Sequence, residues 1–352
     1  MKKVYLLLLV LAVLAGCKKK DIVTSKKSPV SVKNSDSLDF KIGQMIMIGI
    51  GENTAFTAKD SLPLEIRSNK TGGIVLYEKN IAKSNSKEAL KKLVADLQKE
   101  AAVPLFVSID EEGGKVHRMK EKYGFVGMPS AAYLGKLDNV DSTYFYTRKL
   151  AAVMEYCGIN LNYAPLVDLA LNPSNPVIAK IERSYSDDPE KVARHAMASI
   201  RAHHDFHIKT IIKHFPGHGS SSTDSHLGIT DVTNSWKFME LQPYKTILQS
   251  GNYDAIMTGI LRDFMGYKEV IFSDDMQMYA ISKNYGFETA IKLAILAGVD
   301  VLMFANNVNP KDRISATEVH AIIKKLVTGG QVSSERINES YQRIMVLKRK
   351  KV

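Results

Sequence analysis

The run Val270–Asp274 is apolar until it ends on Ser273-Asp274-Asp275. A carboxylate at the tip of an apolar strand can attack an electrophilic carbon and leave again, the behaviour retaining glycosidases require of their nucleophile. Asp274 is the candidate for that role. Its neighbour Asp275 suits capping of the next helix or another structural bond. Asp224 and His226 lie two residues apart, after a stretch rich in Gly and Ser (Gly217 to Ser225). A carboxylate bonded to one imidazole nitrogen fixes the tautomer and raises the basicity of the other nitrogen. His226, backed by Asp224, is therefore the candidate acid/base. A loop setting predicts that it reaches the scissile bond only with substrate in place. Asp110, Arg183, Lys213 and His214 are hydrogen-bonding groups suited to sugar hydroxyls and an amide. His218 is expected to serve hydrogen bonding within its own loop. Six histidines fall between His203 and His226, which raises the question of a metal. No His-Glu-x-x-His or comparable ligand spacing occurs, and His203, His204 and His207 fall at a helix end, where imidazoles also complement the dipole. No metal site is expected.

These residues need elements to position them. Apolar runs predict strands at Met45–Ile50, Gly72–Tyr77, Leu105–Asp110, Asn160–Leu166, Lys209–His214, Ala255–Thr258, Val270–Asp274 and Asp300–Phe304. Continuous apolar runs fit parallel strands covered on both faces. Amphipathic runs fall between them. Ala89, Leu90, Leu93, Val94 and Leu97 share one helix face, with Ser86 as the expected N-cap. Asp188-Pro189-Glu190 reads as cap, first-turn proline and acidic first turn of a helix reaching about His204. Asp312–Val327 and Ser334–Lys350 close the chain as helices. Eight strands with intervening helices predict an α/β fold, a single (β/α)8 barrel. A doubly wound open sheet is the alternative, but no Gly-rich dinucleotide fingerprint follows the first strand. Barrel chemistry sits at the carboxyl ends of the strands. Asp110, Asp168 with Glu182-Arg183, Lys213-His214, and Asp274 all fall there.

Composition narrows the class. The 352 residues are 45% hydrophobic and 24% charged, which excludes a disordered or collagen-like chain. Two cysteines exclude a disulfide-stapled scaffold and a Cys-rich metal site. The formal charge of +11 suits an anionic surface, yet no Arg-rich helix or RNP-like motif points to nucleic acid. Lys2 and Lys3 precede an apolar run, Val4 to Leu14, too short to span a bilayer. Leu14-Ala15-Gly16-Cys17 follows and resembles the bacterial lipobox, so Cys17 is expected to be the lipid-modified first residue of the mature chain, with a plain secretory signal as the alternative. The expected organisation is a signal peptide at 1–16, a membrane tether at 17–37 and a catalytic domain at 38–352. Removing 1–16 takes away two lysines and leaves +9. Cys157, in an apolar helical stretch, is expected to be an inert buried thiol.

Lys213-His214-Phe215-Pro216-Gly217-His218-Gly219, then Asp224-Ser225-His226, then Phe272-Ser273-Asp274-Asp275-Met276-Gln277-Met278 resembles glycoside hydrolase family 3, β-N-acetylhexosaminidase branch. The resemblance extends to Ile42-Gly43-Gln44-Met45, Asp110-Glu111-Glu112-Gly113-Gly114, Asn162-Tyr163-Ala164-Pro165-Leu166-Val167-Asp168 and Arg183-Ser184-Tyr185-Ser186, and covers residues 38–350. It implies a (β/α)8 barrel, no cofactor, and retaining cleavage of terminal β-linked N-acetylglucosamine. By motif, Asp274 would be the nucleophile and His226 the acid/base, paired with Asp224. Asp110, Arg183, Lys213 and His214 would hold the sugar. The histidine departs from the usual two-carboxylate pair. A neutral imidazole would not repel phosphate, so phosphate stands beside water as an acceptor. The resemblance further implies cell-wall turnover, with N-acetylglucosaminyl–anhydro-N-acetylmuramic acid fragments as substrates. A lipoprotein in the cell envelope, facing the periplasm, fits that role or the scavenging of other N-acetylglucosamine glycosides, and the protein is expected to be a monomer.

One departure from the family pattern stands out. The family continues its sixth strand as Met-Thr-Ala-His-Ile, with a Pro-Ala-Thr-Leu-Ser stretch before the next helix. Here Met257-Thr258-Gly259 runs directly into Ile260-Leu261-Arg262-Asp263, leaving eleven residues, Gly259 to Glu269, between strands six and seven. A parallel crossover usually takes about a dozen or more. This shortened crossover, with a two-turn helix at Ile260–Gly266, predicts a more open pocket, weaker binding or local strain at Gly259. It also supports a rival reading: a lipid-anchored protein that binds N-acetylglucosamine glycans with lost or weak turnover.

Overall fold

The apolar runs form eight short strands: β1 (Ile46–Gly49), β2 (Gly73–Leu76), β3 (Phe106–Ile109), β4 (Leu161–Asn162), β5 (Lys209–Ile212), β6 (Ala255–Met257), β7 (Val270–Asp275) and β8 (Val301–Phe304). The structure, a computed structural model, describes residues 37–222, 235–257, 267–278 and 286–352. Neighbouring strands pair in parallel and in chain order, and β1 also pairs with β8, so the sheet closes into a barrel. The expected (β/α)8 architecture is what forms, and the open-sheet alternative falls away. Seven strands are buried at every position; only β7 surfaces, at its last two residues, Asp274 and Asp275.

Outside the barrel run α1 (Leu38–Gln44), α2 (Ser61–Arg67), α3 (Ser86–Glu100), α4 (Ala131–Leu137), α5 (Val140–Tyr156), α6 (Pro189–His204), α7 (Gln242–Ser250), α8 (Phe287–Leu296), α9 (Ala316–Thr328) and α10 (Ser334–Arg349). The start of α6 is as read from sequence: Pro189 opens it and the Asp188 carboxylate accepts the Glu190 N–H at 2.9 Å. Two other starts differ. Asn85, with φ of 48°, holds the cap position of α3, while Ser86 lies inside the helix and donates its hydroxyl to Ala82 O at 2.7 Å. The last-but-one helix begins at Ala316, not Asp312. There Ser315 and Glu318 form a reciprocal capping box, and Pro310–Asp312 is a separate 3-10 turn.

The fourth strand is also shorter than its apolar run. Pro165 has no N–H to give the ladder, and beyond it only Leu166 bridges to Lys213. The sixth crossover, including Ile260–Gly266, lies mostly outside the described residues, as does Thr258. Even so, β6 and β7 pair in full register, Ala255 with Val270, Ile256 with Ile271 and Met257 with Phe272, so the barrel closes across the short connection.

The barrel interior is solid. Phe272 packs edge-on against Phe106 and Tyr163, with ring centroids 6.0 and 6.4 Å apart. The Lys348 ammonium donates to Gln44 Oε1 at 2.7 Å and Gly72 O at 2.8 Å, and sits 4.9 Å from the Phe106 ring centroid. Cys157 is fully buried, and burial pushes its thiol up to about 12, so it stays protonated as expected of an inert residue. No helix among the described residues is long and apolar enough to cross a membrane.

Candidate active site

With the interior filled, room for a ligand is left at the strands' carboxyl ends, where a cavity of about 770 Å³ opens. Asp110, Arg183, Lys213, His214 and Asp274 all line it, so five of the sequence-derived residues converge. Asp224 and His226 lie outside the described residues, as does Cys17.

A β-bulge brings Asp274 to the mouth. The register of β7 against β8 shifts between Phe272 and Asp275, and Ser273 Oγ accepts the Met303 N–H at 2.9 Å. The extra residue bends the strand and re-aims its end. Asp274 Oδ1 accepts the N–H of Asp275 at 2.7 Å. Asp275 has a structural role: its Oδ1 accepts N–H groups from Gln277 at 3.1 Å and Ala305 at 3.0 Å, tying the ends of β7 and β8 together.

Three consecutive acids follow β3, and the backbone sends each a different way. Asp110 faces the cavity and accepts the Lys213 ammonium at 2.5 Å. Glu111 turns away, accepting the N–H groups of Arg118 and Met119 at 2.9 and 2.8 Å and bonding the His117 ring, which shapes the turn after β3. Glu112 lies beneath the cavity floor. It takes the Arg183 guanidinium two-pronged, at 2.8 and 2.7 Å, and the Lys213 ammonium at 2.7 Å. Burial alone would raise the Glu112 carboxyl, but Arg183 and Lys213 outweigh it and hold it well below the usual carboxylate range. Lys213 is likewise desolvated, yet Asp110 and Glu112 keep it above the ordinary lysine value. Two cations and two carboxylates thus form one neutral cluster, and both cations reach the cavity.

After β5, His214 Nδ1 meets Asp168 Oδ2 at 2.7 Å. Asp168 is buried, and although burial raises its carboxyl, His214 draws it below the ordinary value. A carboxylate accepts, so Nδ1 carries the proton and Nε2 is the acceptor left for a ligand. Asp168 also accepts the His218 N–H at 2.8 Å. The His218 ring differs from expectation. Both its nitrogens are buried without a partner among the described residues, and the ring lines the cavity. Burial, then His214, lowers its basicity. Of the remaining histidines, His203 bonds Asn162 and Ser199 O, His204 bonds Asp254, and His207 bonds Val352 O, all away from the cavity. Among the described residues no group of three or more His, Cys, Asp or Glu is arranged to hold a metal.

Sequence pattern does not mark three contributors. Spacing does not tell which of the adjacent acids Asp110, Glu111 and Glu112 faces inward, and it gives Asp168 a place at the rim but no partner. Arg118 lies outside every motif. It lines the cavity with its guanidinium 5.9 Å from the Tyr77 ring centroid, and its Nε is buried without a partner among the described residues. The signal was there: a cation eight positions past Asp110, in the loop after β3.

Residues 37–347 match the model of the glycosyl hydrolase family 3 N terminal domain. The chain belongs to this family. It is 32% identical over 269 residues to a β-hexosaminidase of Tolumonas auensis, a match covering 69% of this chain and 78% of that one. The solved family 3 β-N-acetylglucosaminidase of a Paenibacillus species superposes with a TM-score of 0.78 at 30% identity, over 89% of this chain and 62% of that one, so this chain spans less than two thirds of it. LpqI of Mycobacterium tuberculosis superposes with a TM-score of 0.73 at 25% identity, over 89% of this chain and 94% of that one. This family 3 hydrolase is therefore of the β-N-acetylhexosaminidase branch, as its motifs imply, and shares the family's barrel.

Proposed function

We propose that this hydrolase removes terminal β-linked N-acetylglucosamine from glycosides, with retention, through a glycosyl–Asp274 intermediate. The observation that carries the reading is the placement of Asp274. A bulge delivers it to the cavity mouth, its Oδ1 accepts the Asp275 N–H, and its Oδ2 has no partner among the described residues. In the first step Oδ2 bonds the anomeric carbon, the glycosidic C–O bond breaks, and His226, backed by Asp224, gives its proton to the departing oxygen. In the second, water attacks the same carbon, His226 takes its proton, and Asp274 leaves. Asp110, Arg118, Arg183, Lys213 and His214 hold the sugar from the other walls. The two buried carboxylates behind them, Glu112 and Asp168, keep these donors and acceptors pre-oriented.

The substrates we infer are peptidoglycan-derived fragments, met in the cell envelope. There Cys17 would carry the lipid, residues 17–37 would serve as tether, and 38–352 would face the periplasm. Release of a chromogenic aglycone from a β-N-acetylglucosaminide tests the reaction. Turnover by the full chain in detergent, abolished in Asp274→Ala, supports it. A folded protein that is thermally stabilised by N-acetylglucosamine yet turns nothing over points instead to the binding protein that the short sixth crossover allows. Labelled fatty acid that is absent from the wild type, or kept by Cys17→Ser, counts against the anchor.

A further inference from the structure

The loops after β3 and β4 face two ways. Val116, Ile181 and Arg183 line the catalytic cavity, while their chain neighbours Lys115 and Glu182 line a second cavity of about 760 Å³. The two loops are thus a shared wall. The Lys115 ammonium donates to Lys180 O from one loop to the other at 3.3 Å, and the two-pronged bond of Arg183 to Glu112 joins the same loops.

The other side of this groove comes from α4, with Tyr146 of α5. Its walls are held by backbone contacts. Ala132 donates its N–H to Glu182 O at 3.2 Å, and a Cβ on Gly135 would lie 1.7 Å from Tyr185 O, so α4 packs directly on the loop after β4. Gly114, with φ of 56°, approaches as closely: a Cβ there would lie 2.8 Å from Ser130 Cβ.

The groove leaves an aromatic ring and two cations in water. Tyr133 is 55% exposed, and Lys115 and Lys136 are exposed. Three residues apart, Tyr133 and Lys136 share a face of α4. Neither the Tyr133 hydroxyl nor the Lys136 ammonium has a bonding partner among the described residues. Tyr146 is half-buried and packs edge-on against the exposed Phe145, with ring centroids 5.5 Å apart. Glu182 is the one acid among the described lining residues, so the groove carries net positive charge. A tyrosine ring offers an apolar face to the C–H side of a sugar and a hydroxyl to its polar edge. A lysine beside it adds a point charge for a carboxylate.

We propose that this groove is a second glycan-binding site and that its ligand is an acidic glycan. Sugar rings pack on Tyr133 and Tyr146, and carboxylates pair with Lys115 and Lys136. The site adds no chemistry. It holds an acid-bearing chain across one wall from the catalytic cavity and so raises the chain's effective concentration there. The proposal goes beyond the hydrolase reading and does not depend on it, because binding here needs no turnover.

The test uses the full chain carrying Asp274→Ala, in detergent, with free N-acetylglucosamine at saturation to occupy the catalytic cavity. Equilibrium dialysis compares two tetrasaccharides. One alternates N-acetylglucosamine with N-acetylmuramic acid, whose lactyl groups are carboxylates; the other, chitotetraose, is neutral. The acidic one is expected to bind about 3- to 30-fold tighter, a preference that shrinks as salt rises from about 50 to about 500 mM. Tyr133→Ala should weaken both ligands about 3- to 10-fold, and Lys136→Ala the acidic one alone, about 2- to 5-fold. Both positions are exposed, so the fold stands, and with Asp274 intact neither substitution should change hydrolysis of a small chromogenic β-N-acetylglucosaminide. Equal affinity for the two tetrasaccharides overturns the proposal, as does no binding, or binding that neither substitution weakens. Phosphatidylglycerol vesicles that bind in place of the glycan and are released by Lys136→Ala would assign the groove to a membrane surface instead. A wild type that turns nothing over yet shows the expected binding overturns the hydrolase reading and leaves this one standing.

Discussion

Glu112→Gln should damage this site more than any other isosteric change to a residue out of the substrate's reach. The wild-type carboxylate bonds Arg183 twice and Lys213 once, with side-chain exposures of 6% for Glu112, 11% for Arg183 and 3% for Lys213. Glutamine keeps one acceptor but no charge, leaving two cations against Asp110 alone. Removing one partner of a buried pair costs about 3–5 kcal/mol, and the retained acceptor argues for the lower end, about 3 kcal/mol. In a domain of this size, at about 2.1 cal/mol/K of unfolding entropy per residue, that is roughly 4–5 °C in Tm. Arg183 keeps Val177 O at 2.8 Å and Lys213 keeps Asp110, so the cations swing rather than leave. A misplacement of about 1 Å predicts kcat/KM lowered about 100-fold, with KM carrying the larger share because these groups bind ground state and transition state alike. The acid limb supplies a second readout. The folded-state carboxyl lies below its ordinary 4.5, so its contribution is full above that value and is lost as pH falls below it. The glutamine variant should unfold with a shallower dependence on acid, measured by urea midpoints between pH 3 and pH 6. Unchanged Tm and unchanged kcat/KM would refute the argument that this carboxylate holds the two cations.

Asp168→Asn should leave the fold standing but release the His214 tautomer, because a carboxamide can donate to Nδ1 as readily as accept from it. KM for the chromogenic glycoside should rise about 10-fold or more, and an unchanged KM would show that the ring is held by other means. Lys348→Met probes the barrel floor. Burial pushes this ammonium down to about 7, so the unfolded chain holds the proton more tightly. Wild-type stability from this residue is therefore least below pH 7 and rises towards the ordinary lysine value of 10.5. The difference in urea midpoint between wild type and Lys348→Met should change across pH 7 to 10 in the wild type's favour; a constant difference would mean that its two acceptors keep the lysine charged.

The barrel was legible because eight apolar runs are the natural signature of strands covered on both faces, and their order leaves few topologies. Strand ends were less so. Asn160–Leu166 is apolar enough for seven strand residues, but Pro165 breaks the ladder, and composition does not report hydrogen bonds. At the rim, the residues that face the cavity carried a readable pattern: acids, cations and histidines just past strand ends. The residues one layer behind did not. Asp110, Glu111 and Glu112 are chemically near-identical, and only the backbone after β3 sorts them into a cavity wall, a turn brace and a buried counter-ion.

On the proposed function, that second layer explains why a pocket for an uncharged sugar is lined with charge. Arg183 and Lys213 offer donors of fixed direction, but two bare cations beneath a neutral ligand would be costly to desolvate. Asp110 and Glu112 cancel them in place, and Asp168 fixes the tautomer of His214. The site then presents oriented hydrogen bonds with little net field, suited to hydroxyls and an amide. Asp274 stands apart from this balance: its one described bond is a backbone N–H, and no cation pairs with it among the described residues. A carboxylate kept free of counter-ions keeps its nucleophilicity and can stabilise the positive charge that grows at the anomeric carbon. On the proposed mechanism the division is functional: the charges assigned to the sugar are neutralised from behind, and among the described residues the proposed nucleophile is not.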